Sequence, residues 1–129
     1  MLPLLKQRME MCTEAPYLKL KHAFKDRCVW EGTVEPSGLS ERYVVRITYR
    51  LGYDPQVRVL NPPLVRRADR PIPHFNGDGT LCLYPVDSGE WTAADSIAYT
   101  IVPWISDWLF HYEVWMATGV WHGDEPKPT

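Results

Sequence analysis

Between Tyr43 and Arg50 the side chains alternate without a break: Tyr43, Val45, Ile47 and Tyr49 fall on one side, Val44, Arg46, Thr48 and Arg50 on the other. A period of two marks a strand with one face in a core. Such a strand needs neighbours in a sheet and a second layer to cover it. Tyr17 to His22 also alternates, with Leu18 and Leu20 opposed to Lys19 and Lys21. Cys28 to Val34 closes on the turn signal Pro36-Ser37-Gly38. After the turn Gly52-Tyr53-Asp54-Pro55, Gln56 to Leu60 reads as a further strand with Val57 and Val59 inward. The expectation is an antiparallel four-stranded meander.

The covering layer is read from the C-terminal third. Ile97, Ile101, Trp104, Ile105, Trp108, Leu109, Tyr112, Trp115 and Met116 share an arc of about 140° at a helical step of about 100° per residue. Thr92 with Asp95 resembles a capping box, with Asp in place of Glu, and Thr118-Gly119 is a stop signal. Pro103 falls inside this segment, and the stripe stays in phase through it, which predicts one helix kinked at Pro103. Tyr99, Phe110 and Val114 lie on the opposite side of the wheel. They are either a partner surface or scattered exposed apolar residues. Pro3 to Cys12 predicts a short N-terminal helix. From Asn61 to Tyr84 the chain carries Pro62, Pro63, Pro71, Pro73, Gly77 and Gly79, and reads as a long loop that is functional or packed on itself. The fold class is α+β, and 129 residues suit one domain spanning 1–129.

Composition excludes several functions. A formal charge of −2 lacks the field that nucleic-acid binding draws on. No window approaches a membrane helix, and the run Met1-Leu-Pro-Leu-Leu breaks too early for a secretory signal. Three cysteines at unrelated spacings fit a reducing cytoplasm better than a disulfide framework. No paired Cys or His spacing suggests zinc, and no Gly-x-Gly-x-x-Gly loop suggests a nucleotide. No metal and no cofactor is expected.

Chemistry concentrates in His74-Phe-Asn-Gly-Asp-Gly-Thr-Leu-Cys82-Leu-Tyr-Pro, followed by Glu90-Trp91. A cysteine between two leucines is often a small core residue. Here Gly77 and Gly79 precede it, allowing close backbone approach and N–H groups that could face an oxyanion or an extended tail. Cys12 and Cys28 lack such surroundings, and Cys28 beside Val29 and Trp30 reads as core. Arg66, Arg67 and Arg70 could contact a partner's tail carboxylate or acidic residues, or form a solvated loop.

This stretch resembles the active-site segment of ubiquitin-conjugating enzymes. There a His-Pro-Asn turn precedes a Gly-x-(Ile/Leu)-Cys-Leu block, and a Trp follows. Gly79-Thr80-Leu81-Cys82-Leu83 matches the block position by position, and Trp91 follows Cys82 by nine residues. Tyr43 to Tyr49 with Tyr53-Asp-Pro55-Gln-Val57 is similar to the family's strand and corner. The resemblance is closest to a divergent bacterial branch, carried by Leu81 to Tyr84, Glu90-Trp91, Pro103-Trp104, and Tyr112-Glu-Val-Trp115 through Thr118-Gly119-Val-Trp121. Members of that branch are encoded in antiphage operons, including cyclic-oligonucleotide signalling systems (CBASS).

The resemblance implies a UBC-like fold and a thioester on Cys82. The partner would be a protein with a flexible C-terminal tail, a cGAS-like nucleotidyltransferase or a ubiquitin-like protein, activated by a separate enzyme or already activated. His74, Asn76, Gly77, Gly79, Tyr84 and Trp91 would support the site, with His74 ordering the loop. Two departures stand out. Phe75 replaces the motif's proline, and His74 precedes Cys82 by eight residues where the family commonly has ten. The resemblance alone therefore does not carry Asn76 to the oxyanion position. Two other readings remain: a non-catalytic adaptor of the same fold, and a cysteine hydrolase pairing Cys82 with His74, His111 or His122.

Overall fold

The computed structural model describes residues 1–68, 70–85 and 87–123. The last six residues of the expected domain lie outside it. Helix α1 (Leu4–Glu14) is followed by strands β1 (Leu18–Phe24), β2 (Arg27–Val34), β3 (Tyr43–Arg50) and β4 (Gln56–Asn61), then helix α2 (Ile101–Thr118). The strands form one antiparallel sheet in the order β1-β2-β3-β4. The architecture is the α+β, UBC-like one expected.

The alternation in β3 fixes the register. Tyr43, Val45, Ile47 and Tyr49 are buried, and with Cys28, Trp30 and Val57 from the neighbouring strands they form the inner face. The α2 stripe closes over that core: Ile101, Ile105, Trp108, Leu109, Tyr112 and Trp115 are buried in it, with Trp104 and Met116 at its margin. Cys28 is core, as its neighbours suggested. β1 departs from its pattern. Only Leu18 is buried, a bulge falls between Leu20 and His22, and the rest of the strand is exposed because it is the sheet's edge.

α2 also differs from its expectation. Residues 92–100 run as successive turns and the helix begins at Ile101, so Pro103 lies in its first turn instead of kinking a longer helix. A first-turn proline loses nothing, because its missing N–H has no partner there in any helix. The Thr92–Asp95 pair does cap, but it caps this turn: Asp95 accepts from the Thr92 N–H at 2.7 Å and Thr92 Oγ1 from the Ala94 N–H at 3.3 Å. Tyr99 and Phe110 are exposed, and Val114 is half-buried.

Two polar clamps hold the connections. Gln7, fully buried, donates to the Asp95 carbonyl at 2.8 Å and accepts from the Ile97 N–H at 2.9 Å, tying α1 to the turns before α2. Glu113 accepts from Ser40 Oγ at 2.5 Å, the Glu41 N–H at 3.2 Å and the Tyr43 hydroxyl at 2.8 Å, tying α2 to the β2–β3 loop. Burial, and then that carboxylate, push the Tyr43 hydroxyl well above the ordinary phenol range.

At the other end of α2, Gly119 adopts a left-handed φ of 81° and donates to the Trp115 carbonyl at 2.7 Å. This is a glycine helix stop. Arg67 donates to the same carbonyl at 3.1 Å and Arg70 to the Gly119 carbonyl at 3.2 Å. Two cations thus occupy the negative end of the helix dipole.

Candidate active site

The long loop is not structureless. It contains a tight hairpin whose sequence, Asn76-Gly77-Asp78-Gly79, holds both dipeptides that favour such turns. Phe75 bridges to Leu81. The Asn76 N–H donates to the Thr80 carbonyl at 2.9 Å and the Gly79 N–H to the Asn76 carbonyl at 3.0 Å. Gly79 has φ 88°, the left-handed residue that closes a three-residue hairpin loop. Asp78 locks the tip, accepting from the Thr80 N–H at 3.0 Å and the Thr80 hydroxyl at 2.6 Å, and those bonds hold its carboxyl below the usual range. Arg58 on β4 donates to the Asp78 carbonyl.

The hairpin's base places the thiol. Leu81 donates its N–H to the Val57 carbonyl at 2.9 Å and buries its side chain, anchoring the returning arm to β4. The Cys82 N–H donates to the His74 carbonyl at 2.9 Å, and that carbonyl also accepts from Trp108 Nε1 at 2.9 Å. His74 has φ 50°, and its ring lies 5.1 Å from that of Trp121. Its backbone therefore joins the hairpin to α2.

Cys82 is half-buried, with its Sγ donating to the Tyr84 carbonyl at 3.3 Å. Burial pushes the thiol up from its ordinary value, partly opposed by its bond to the Tyr84 carbonyl. Tyr84 packs its ring 5.8 Å from Trp104, and burial followed by the Asp54 carboxylate raise its hydroxyl. Trp91 is a core residue: buried, edge-on to Tyr49 at 5.8 Å, and donating Nε1 to Thr100 Oγ1 at 3.0 Å. It secures the turns downstream of the thiol.

Two supporting roles change on the structure. The N–H of Gly79 is committed to the turn and does not face an oxyanion. The Asn76 side-chain amide donates to Thr80 Oγ1 at 2.9 Å, so it stiffens the hairpin. Gly77 is exposed at the tip with open space around it. Arg67 and Arg70 cap α2, while Arg66 is exposed. Asp54 and Arg58, read from sequence only as turn and strand residues, are the additions.

A raised thiol pKa has a testable sign. Only the thiolate reacts, so its fraction rises about tenfold per pH unit until the pKa is reached. Carbamidomethylation of Cys82 by iodoacetamide in a Cys12→Ser background, followed by intact mass, will therefore keep accelerating past pH 9.0, the unshifted value. A plateau below that pH would mean an activating charge beside the sulfur.

Among the described residues no three His, Cys, Asp or Glu side chains gather as metal ligands, and no helix is long and apolar enough to cross a membrane. No match is found among curated proteins. Residues 7–128 match the family model described as type II CBASS E2 protein. With its α+β, UBC-like fold and Cys82 on a braced hairpin, the chain belongs to that family, as an E2-like protein of antiphage defence.

Proposed function

We propose that Cys82 carries an acyl group, as a thioester with the C-terminal residue of a partner protein, and passes it to an acceptor amine. The partner is a cGAS-like nucleotidyltransferase or a ubiquitin-like protein of the same defence system. In the first step the Cys82 thiolate attacks the carbonyl of the partner's activated C-terminus. The activating group leaves with its bonding electron pair, and the thiol proton passes to solvent. In the second step the acceptor amine attacks the thioester carbonyl, the C–S bond breaks, and the released thiolate takes up a proton. Activation itself is supplied in trans.

One observation carries this reading. Cys82 is only half-buried, while the adjacent Leu81 is in the core. Partial exposure of this residue is what a partner's tail would need in order to meet the sulfur.

The environment suits a carrier better than a hydrolase. A burial-raised pKa means that the surroundings favour neutral species, and both the thiol and its thioester are neutral. The influences on the thiol are burial and the Tyr84 carbonyl, neither of which is a base that could activate water.

The test is intact-mass analysis of the protein co-expressed with its operon neighbours. An adduct of the partner's mass less one water, on residue 82 and released by dithiothreitol or hydroxylamine, is expected. An adduct on another residue, or unmodified protein alongside a processed partner, would remove the assignment.

A further inference from the structure

A second surface, on the opposite edge of the sheet from β4, has a shape and charge that the thiol does not explain. Leu5, Arg8, Met9 and Cys12 repeat at helical spacing along the outward side of α1. They form one wall of a groove of about 370 Å³ whose other wall includes Leu18, Leu20 and Trp30, with Lys19 at its rim. Leu5 and Met9 are 64% and 58% exposed. β1 forms the floor's margin and, among the described residues, pairs with β2 alone; the Leu18 N–H is taken by the Ala15 carbonyl at 3.0 Å, and beyond it the outer edge presents backbone N–H and C=O groups. The groove therefore lies between α1 and the edge strand of the sheet.

The charges select what could fill it. Lys19 and Lys21 are exposed on β1 and Arg8 on α1, and among the described residues none of the three has an ion-pair partner. Glu31, paired across from Lys19, is engaged by Arg46 at 2.7 Å. A second copy of this chain fits poorly, because edge-to-edge pairing would set one lysine row against another.

We propose that this groove receives an extended, acidic segment of a protein partner, added to β1 as a fifth strand. Its alternate apolar side chains would enter between Leu5, Met9 and Leu20, and its outward carboxylates would meet Lys19 and Lys21. Backbone pairing supplies affinity and the alternation supplies selectivity. The surface is separate from Cys82, so the proposal stands or falls independently of the thioester reading.

The probe is a fluorescein-labelled twelve-residue peptide alternating Val or Leu with Asp or Glu, titrated into the full chain and into its Cys82→Ala variant. Saturable binding is expected to both. Amide shifts should be confined to residues 5–12 and 18–24, and affinity should fall at least tenfold in Met9→Glu and in the Lys19→Glu, Lys21→Glu double variant. These positions are exposed, and circular dichroism shows whether each variant is folded. No saturation overturns the proposal, as do equal binding of a Lys-substituted peptide and shifts elsewhere. Binding to phosphatidylserine vesicles but not to the peptide assigns the patch to lipid and overturns it too, and so does concentration-dependent self-association abolished by the lysine reversals.

Discussion

Cys82→Ala will abolish conjugate formation while leaving the protein folded. Loss of a covalent nucleophile costs on the order of 10⁴- to 10⁶-fold in rate, because no other group can hold the intermediate. The structural cost is small. The side chain is half-buried and its sulfur makes one hydrogen bond, to the Tyr84 carbonyl at 3.3 Å, so stability should fall by no more than about 1 kcal/mol. The hairpin around it is held by backbone bonds and by Leu81, which the substitution does not touch. Cys82→Ser offers a sharper version: a hydroxyl can accept the acyl group as an oxyester, which resists dithiothreitol where the thioester does not. Undiminished transfer by the alanine variant, with its near-ultraviolet dichroism unchanged, would place the chemistry elsewhere.

Gln7→Leu will destabilise the protein more than any exposed substitution, by roughly 2–4 kcal/mol. The side chain is fully buried and serves two backbone groups of another segment, the Asp95 carbonyl at 2.8 Å and the Ile97 N–H at 2.9 Å. Leucine keeps most of the volume but leaves both groups unpaired away from water, each at a cost of about 1–3 kcal/mol. Gln7→Ala adds a cavity and should cost more. Urea midpoints at constant slope measure the loss; a leucine variant as stable as the parent would mean that the turns rearrange to find other partners. The expected casualty is the path from Trp91 to α2.

Much of the fold was legible, and the failures have physical reasons. β3 was read to the residue because its alternation reports one buried face. The α2 stripe was read correctly as a core face, but its start was not: periodicity continues through turns that stack on the same core, so Ile97 joined the stripe without being helical. β1 alternates like a half-buried strand, yet an edge position leaves Leu20 38% exposed, and edge position is a property of the sheet, not of seven residues. Within the site, the resemblance located Cys82. The hairpin is masked in the sequence by the surrounding prolines and glycines, which together look like one long loop, although Asn76-Gly77 and Asp78-Gly79 carry their own turn chemistry. The arginines posed a different problem. Whether Arg67 and Arg70 meet a partner or a helix end depends on where Trp115 and Gly119 lie in space, 48 and 49 residues further along.

The aromatic bracing of the thiol's surroundings has a practical use. Trp108 lies 5.4 Å from Trp121 and donates to His74, and Trp104 lies 5.8 Å from the Tyr84 ring. These indoles are optical probes already wired to both flanks of Cys82. On the proposed thioester mechanism, loading or release of an acyl group will register as a change in intrinsic emission, giving stopped-flow kinetics without any attached dye, and Trp104→Phe will identify which flank produces the signal.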